Sequence, residues 1–108
     1  MATGRLASPV QLSAATNTTV YTVPSGYYSV FNVSMTNTSS SSVTVRLALA
    51  STASPGTAEW IEYDTVVLGK GVFERTGLVL DAGKYVVAYA SAGSAVNVTV
   101  YGIETSTS

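Results

Sequence analysis

The sequence predicts an all-β chain: an antiparallel β-sandwich of seven or eight strands, in a jelly-roll-like or immunoglobulin-like order. Three observations carry that prediction. Apolar and polar residues alternate with period two through several runs. Gly, Pro, Asp and Ser cluster between those runs at short intervals, as tight turns require. Apolar residues nowhere keep a helical spacing, and β-branched side chains crowd the segments where a helix would have to form. Many short strands at regular spacing imply a sandwich or barrel.

Residues 1 to 17 are small and polar, with Leu6, Val10 and Leu12 as the only anchors, and read as an N-terminal arm with strand character near 9–14. The main domain is expected over 18–104. Its first strand, near 18–23, ends at Pro24-Ser-Gly26, a turn sequence with Pro to set φ and Gly to take a positive φ. In the next strand, 27–36, Phe31, Val33 and Met35 oppose Asn32, Ser34 and Thr36. The polar run Asn37 to Ser42 has the length of a loop. After it, Val43, Val45, Leu47 and Leu49 share one face of a strand over 43–50, with Thr44, Arg46, Ala48 and Ala50 on the other. Ser54-Pro-Gly56, Gly69-Lys-Gly71, Asp81-Ala-Gly83 and Ala92-Gly-Ser94 then separate strands near 59–68, 71–80, 84–91 and 95–103. In the last of these Val96, Val98 and Val100 oppose Asn97, Thr99 and Tyr101. The tail over 105–108 has nothing apolar to bury and is expected to be mobile unless a partner orders it. The absence of Cys and the position of Trp60 give no support to an antibody-type domain.

Composition narrows the function classes. A chain of 108 residues fits one domain that buries roughly two-thirds of its unfolded surface, enough for one core. It contains no His and no Cys, while 30 positions are Ser or Thr. The commonest general base, the thiol nucleophile, thiolate metal sites and disulfides are therefore missing. Five Lys and Arg balance six Asp and Glu, too evenly for charge to draw the chain to nucleic acid. Charged residues are 10% of the chain against roughly 25% in ordinary soluble domains, so part of the outer surface is expected to be covered in an assembly. No apolar run approaches the roughly 20 residues of a membrane helix, and the first residues lack a signal peptide's basic and apolar regions. Synthesis in the cytoplasm without a membrane anchor is the corresponding expectation.

The best catalytic candidate is the acidic cluster Glu59, Glu62 and Asp64 beside Trp60 and Tyr63. On a regular strand Glu62 and Asp64 would share a face about 7 Å apart, a carboxylate pair of glycosidase type. The preferred reading makes both outward, solvated residues, with Ile61 and Tyr63 facing the core. A Ser-Lys arrangement through Lys70 or Lys84 is disfavoured, because both lysines sit in Gly-flanked turns. Asp64 and Asp81 are conceivable Ca²⁺ ligands, but they are far apart in sequence and read as surface acids. Asn-X-Ser/Thr triplets begin at Asn17, Asn32, Asn37 and Asn97, a chance yield in so Ser/Thr-rich a chain. Glu74 and Arg75 should point to opposite faces and pair, if at all, with another strand or subunit. No catalytic residue, metal ligand or cofactor is predicted. The candidate functional residues are interfacial: Leu6, Val10 and Leu12 of the arm, and Tyr27, Tyr28, Trp60, Tyr63, Tyr89 and Tyr101, whose rings offer apolar area and a polar atom.

The succession Tyr21-Thr-Val-Pro-Ser-Gly26, Asn32-Val-Ser-Met-Thr-Asn37, Val43-Thr-Val-Arg-Leu-Ala48, Ile61-Glu-Tyr-Asp64, Glu74-Arg-Thr-Gly77, Leu80-Asp-Ala-Gly83 and Val100-Tyr-Gly102 resembles small virion structural proteins of tailed bacteriophages. The likeness spans about residues 18 to 104. It implies a non-enzymatic β-sandwich in the virion, nearest to capsid decoration or cement proteins, which bind the major capsid protein or another virion protein, often as dimers or trimers. A tail, collar or fibre-attachment component is the neighbouring expectation. From another class, a carbohydrate-binding module would use Trp60 and exposed tyrosines to stack on sugar faces.

Overall fold

The computed structural model describes residues 3–107. Nine strands succeed one another: β1 (Thr3–Arg5), β2 (Val10–Gln11), β3 (Thr18–Thr22), β4 (Tyr27–Asn37), β5 (Val43–Ala50), β6 (Trp60–Val67), β7 (Val72–Leu80), β8 (Tyr85–Ala90) and β9 (Val96–Ser106), with a 3₁₀ turn at Thr57–Glu59. They form two antiparallel sheets. One has the order β1-β9-β4-β7, with β2 also on β9, and the other β3-β8-β5-β6. Among the described residues no helix is long and apolar enough to cross a membrane.

β1 and β2 pair with successive stretches of β9, Thr3 opposite Ile103 and Val10 opposite Val98, so they are one edge strand interrupted near Pro9. Counted that way, eight strands alternate between the sheets, and only β5 and β6 are consecutive neighbours in one sheet. This is the jelly roll, two interlocked Greek keys. In an immunoglobulin sandwich the last two strands are neighbours in one sheet. Here β8 and β9 lie in opposite sheets, and that settles the choice the sequence left open.

The inward residues of the alternating runs meet between the sheets. Phe31, Val33 and Met35 of β4 and Val96, Val98 and Val100 of β9 face Val45 and Leu47 of β5 and Val86 and Ala88 of β8. Gly102 lies directly opposite Phe31, and a Cβ there would come within 2.1 Å of the Val30 carbonyl oxygen. Only glycine lets β4 and β9 approach so closely at this pair.

Two polar clusters hold this core. Near one end, the Tyr21 hydroxyl of β3 donates to Glu104 of β9 at 2.6 Å and accepts from Ser29 of β4 at 2.5 Å, joining the two sheets through a buried triad. Burial and the neighbouring Glu104 carboxylate push the Tyr21 hydroxyl up to about 12. At the other end, fully buried Asn37 donates from Nδ2 to the carbonyls of Ser41 (2.8 Å), Val67 (3.1 Å) and Leu68 (3.2 Å). Its Oδ1 accepts from the amide and hydroxyl of Ser39. One side chain thus fastens the β4–β5 and β6–β7 connections.

Both chain ends depart from the expected arm and mobile tail. From Thr3 to Leu12 the segment runs along β9, with Leu6 N–H donating to Val100 and Leu12 N–H to Val96. Leu12 is only 1% exposed, part of the chain's own core, which removes it from the interface candidates. The reason is backbone accounting: β9 has a second row of peptide groups, and the segment satisfies them. Similarly Thr105 and Ser106 pair with Tyr28 and Tyr27, and the Thr107 amide donates to the Gly26 carbonyl. Ladder hydrogen bonds order these polar residues without apolar burial. Residues 1, 2 and 108 of the expected arm and tail lie outside the described residues.

The open edges are irregular. β6 bulges where Asp64 takes φ 56°, and β7 shifts register opposite Phe31 to Val33, near Gly77 at φ 71°. Glu62 of β6 and Arg75 of β7 form an ion pair that ties the two edge strands across the sandwich. Bulges and charges placed between the sheets at an edge discourage a further strand from adding there.

Candidate interaction surfaces

On the outer face of the β3-β8-β5-β6 sheet, Arg46 of β5 lies between two rings. Its guanidinium carbon is 4.0 Å from the Tyr63 ring centroid and 4.3 Å from that of Tyr89. Asp64 holds it there, with Nε at 2.6 Å from Oδ1 and Nη2 at 3.3 Å from Oδ2. This geometry depends on the β6 bulge. Val45 is opposite Thr65 and Leu47 opposite Glu62, so Tyr63 and Asp64 together face Arg46. The extra residue turns Asp64 outward, away from Glu62, which bonds Thr65 and Arg75. The expected shared face of Glu62 and Asp64 is therefore absent, and Tyr63, expected to face the core, is 58% exposed.

Trp60 continues the aromatic surface. It meets Tyr63 edge to face, with centroids 5.8 Å apart and planes at 72°, and its body covers a small second core of Ala48, Ala50 and Val87 together with Tyr85. Beside it the 3₁₀ turn is held by Glu59, whose carboxylate accepts from the amides of Gly56 (2.9 Å) and Ser51 (3.0 Å). Those backbone donors keep its carboxyl below the usual range. Thr57, Trp60 and Tyr63 line an open pocket of about 400 Å³.

The outer face of the other sheet is different in character. Val30 of β4 lies opposite Val79 of β7 on one side and Ile103 of β9 on the other. All three point to solvent, at 39%, 59% and 46% exposure, and exposed Tyr28 stands two residues before Val30 on the same face. They make an apolar row across three strands. Farther along this face Tyr101 donates to Glu74 at 2.7 Å, and Pro9, Val10, Gln11, Thr36, Asn97 and Thr99 line a shallow depression of about 580 Å³.

The predicted interface residues are thus scattered. Tyr63 and Tyr89 come together around Arg46, and Trp60 joins them through Tyr63; Tyr28 joins the apolar row; Tyr101 sits elsewhere on that second face; Leu6, Val10 and Tyr27 pack against the core. Sequence reasoning missed Val30, Val79 and Ile103, although broken alternation marks them. In Leu78-Val-Leu80 one residue must face away from the other two, and it is Val79 that does so. Arg46, alone on its strand in sequence, is the centre of a cluster in space.

No family, no curated protein and no solved structure matches this chain. The surfaces therefore carry the functional reading. All six acids have a partner within the chain: Glu59 as described, Glu62 with Arg75, Asp64 with Arg46, Glu74 with Tyr101, Asp81 with Lys84 and Glu104 with Tyr21. Among the described residues no three acids gather where a metal ion could be held. The Lys70 ammonium donates to the Thr38 carbonyl and that of Lys84 to Asp81. Asn37 is buried and closed to glycosylation in the folded chain.

Proposed function

We propose that this chain is a structural protein of a tailed-bacteriophage particle, a capsid decoration or cement protein that seats the outer face of its β1-β9-β4-β7 sheet on the shell. The observation that carries the reading is the apolar row Val30, Val79 and Ile103 with Tyr28, exposed on a sheet face of a chain with few charges. A contiguous exposed apolar patch marks an interaction site more often than an isolated side chain does. The jelly roll adds an analogy, since viral capsid proteins and lectins use it, and fold alone does not assign function. The row's partner in this reading is the major capsid protein, with dimers or trimers of the chain arranged about capsid axes.

Purified particles should contain the chain at a copy number tied to capsid symmetry, with density on the head. Absence from particles would refute the proposal, and density on the tail or collar would reassign it to a tail component. Val30→Glu and Val79→Glu together should weaken binding to undecorated particles about tenfold or more while leaving the far-ultraviolet circular dichroism spectrum unchanged. Undiminished binding would move the contact to another face.

A further inference from the structure

We propose that the Trp60–Tyr63 corner is a binding site for a neutral sugar ring, separate from the apolar row. Three features of the pocket point to that chemistry. It is lined by two aromatic rings, Trp60 and Tyr63, whose planes meet at 72°. The apolar C–H face of a pyranose stacks on such a surface. The rim carries hydrogen-bonding groups without partners among the described residues: the Trp60 indole N–H, the Tyr63 hydroxyl and the Thr57 hydroxyl. They match the equatorial hydroxyls of a sugar, which offer donors and acceptors around an apolar face. The volume of about 400 Å³ is near the lower end of small-molecule sites, roughly 300 to 1,000 Å³, which suits one or two sugar rings better than an extended peptide.

Charge selects the neutral class. Arg46, whose guanidinium lies on the Tyr63 ring, is neutralised by Asp64 and covered by Tyr63 and Tyr89, and Arg75, which reaches the Ile61 carbonyl, is paired with Glu62. Glu59, the nearest acid of the 3₁₀ turn, has both oxygens occupied by Gly56 and Ser51. Among the described residues these charges are all paired, so a nucleotide or an acidic glycan would meet no free cation there and a cationic ligand no free carboxylate. The site is also preorganised. The capped 3₁₀ turn fixes Thr57, and Trp60 is braced from below by Ala48, Ala50 and Val87.

Trp60 is the only tryptophan in the chain, so its fluorescence reports on the corner alone. The full chain should be titrated with neutral oligosaccharides containing glucose, galactose, mannose or N-acetylglucosamine, with sialylated glycans and a proline-rich peptide as comparisons. The expected result is a saturable change in Trp60 fluorescence with at least one neutral oligosaccharide, and a calorimetric Kd that Tyr63→Ala weakens about tenfold. Thr57→Ala should weaken binding by a smaller factor, and Val30→Glu should leave it unchanged. Trp60→Ala risks loosening the second core, so exposed Tyr63 and Thr57 carry the test. Silence across the neutral panel, binding indifferent to Tyr63→Ala, or preference for the sialylated glycans or the peptide would each overturn the assignment. Because the titration uses the isolated chain, its outcome is independent of whether the chain resides in a particle.

Discussion

Replacing Tyr21 with Phe removes one oxygen atom from the centre of the molecule and leaves its shape nearly intact. That oxygen serves two buried neighbours on the opposite sheet, Glu104 at 2.6 Å and Ser29 at 2.5 Å. A hydrogen bond to a charged group contributes about 1.5–3 kcal/mol, and leaving Ser29 without its acceptor adds about 1 kcal/mol. The expected loss is about 2.5–4 kcal/mol. With an unfolding entropy of roughly 2.1 cal/mol/K per residue, that lowers Tm by roughly 10 to 18 °C in a chain of this length. Urea denaturation should show the loss as a lower midpoint at unchanged slope. Glu104→Gln, which keeps an acceptor for the Tyr21 hydroxyl, should cost less than Tyr21→Phe. The same oxygen predicts a pH dependence. The native Tyr21 hydroxyl is raised from 10.0 to about 12, so the folded state holds this proton more tightly than the unfolded one. Its contribution is complete below pH 10 and is lost as pH rises from 10 toward 12. Tyr21→Phe should abolish that part of the alkaline decline. A variant within about 0.5 kcal/mol of the wild type, the range of ordinary surface substitutions, would refute the view that this triad clamps the sheets.

Asn37→Ala should cost about 3 kcal/mol in urea denaturation, because it leaves the buried Val67 carbonyl and the part-buried carbonyls of Ser41 and Leu68 without their donor. Hydrogen exchange should quicken at 38–42 and 68–71 before it does in the sheets. Gly102→Ala should cost about 3 kcal/mol or more, since the new methyl meets the backbone of β4 at Val30 and Phe31 rather than a movable side chain. Gly83→Ala is the contrasting case. Its φ of 78° is strained for alanine but nothing lies within 4 Å, so about 1–2 kcal/mol is expected, and equal costs at the two glycines would refute the steric argument.

Regular strands were legible because their signal is local. Phe31, Val33 and Met35 face inward as their alternation predicts, and Val43, Val45 and Leu47 do the same. The candidate surfaces were legible only in part. Trp60, Tyr63 and Tyr89 could be singled out as aromatic, but nothing local says that they share a face around Arg46. The β6 bulge reversed the expected placement of Tyr63 and the pairing of Glu62 with Asp64. A one-residue shift exchanges the two faces of a strand, and no turn residue marks this one in the sequence.

By itself the sequence determined the regular strands from β3 to β9 to within a few residues and most of their inward residues, and it removed His and Cys chemistry. Period-two alternation and turn composition act between near neighbours, so they are written along the chain. Tertiary structure alone decided the jelly-roll order, the capture of residues 3 to 12 along β9, and the partnership of Tyr21 with Glu104, 83 positions apart. It also assembled Val30, Val79 and Ile103 into one apolar row and closed the Trp60–Tyr63 corner with Thr57. Each of these joins segments whose proximity depends on how whole sheets pair and pack, and that choice leaves no periodic trace in either segment.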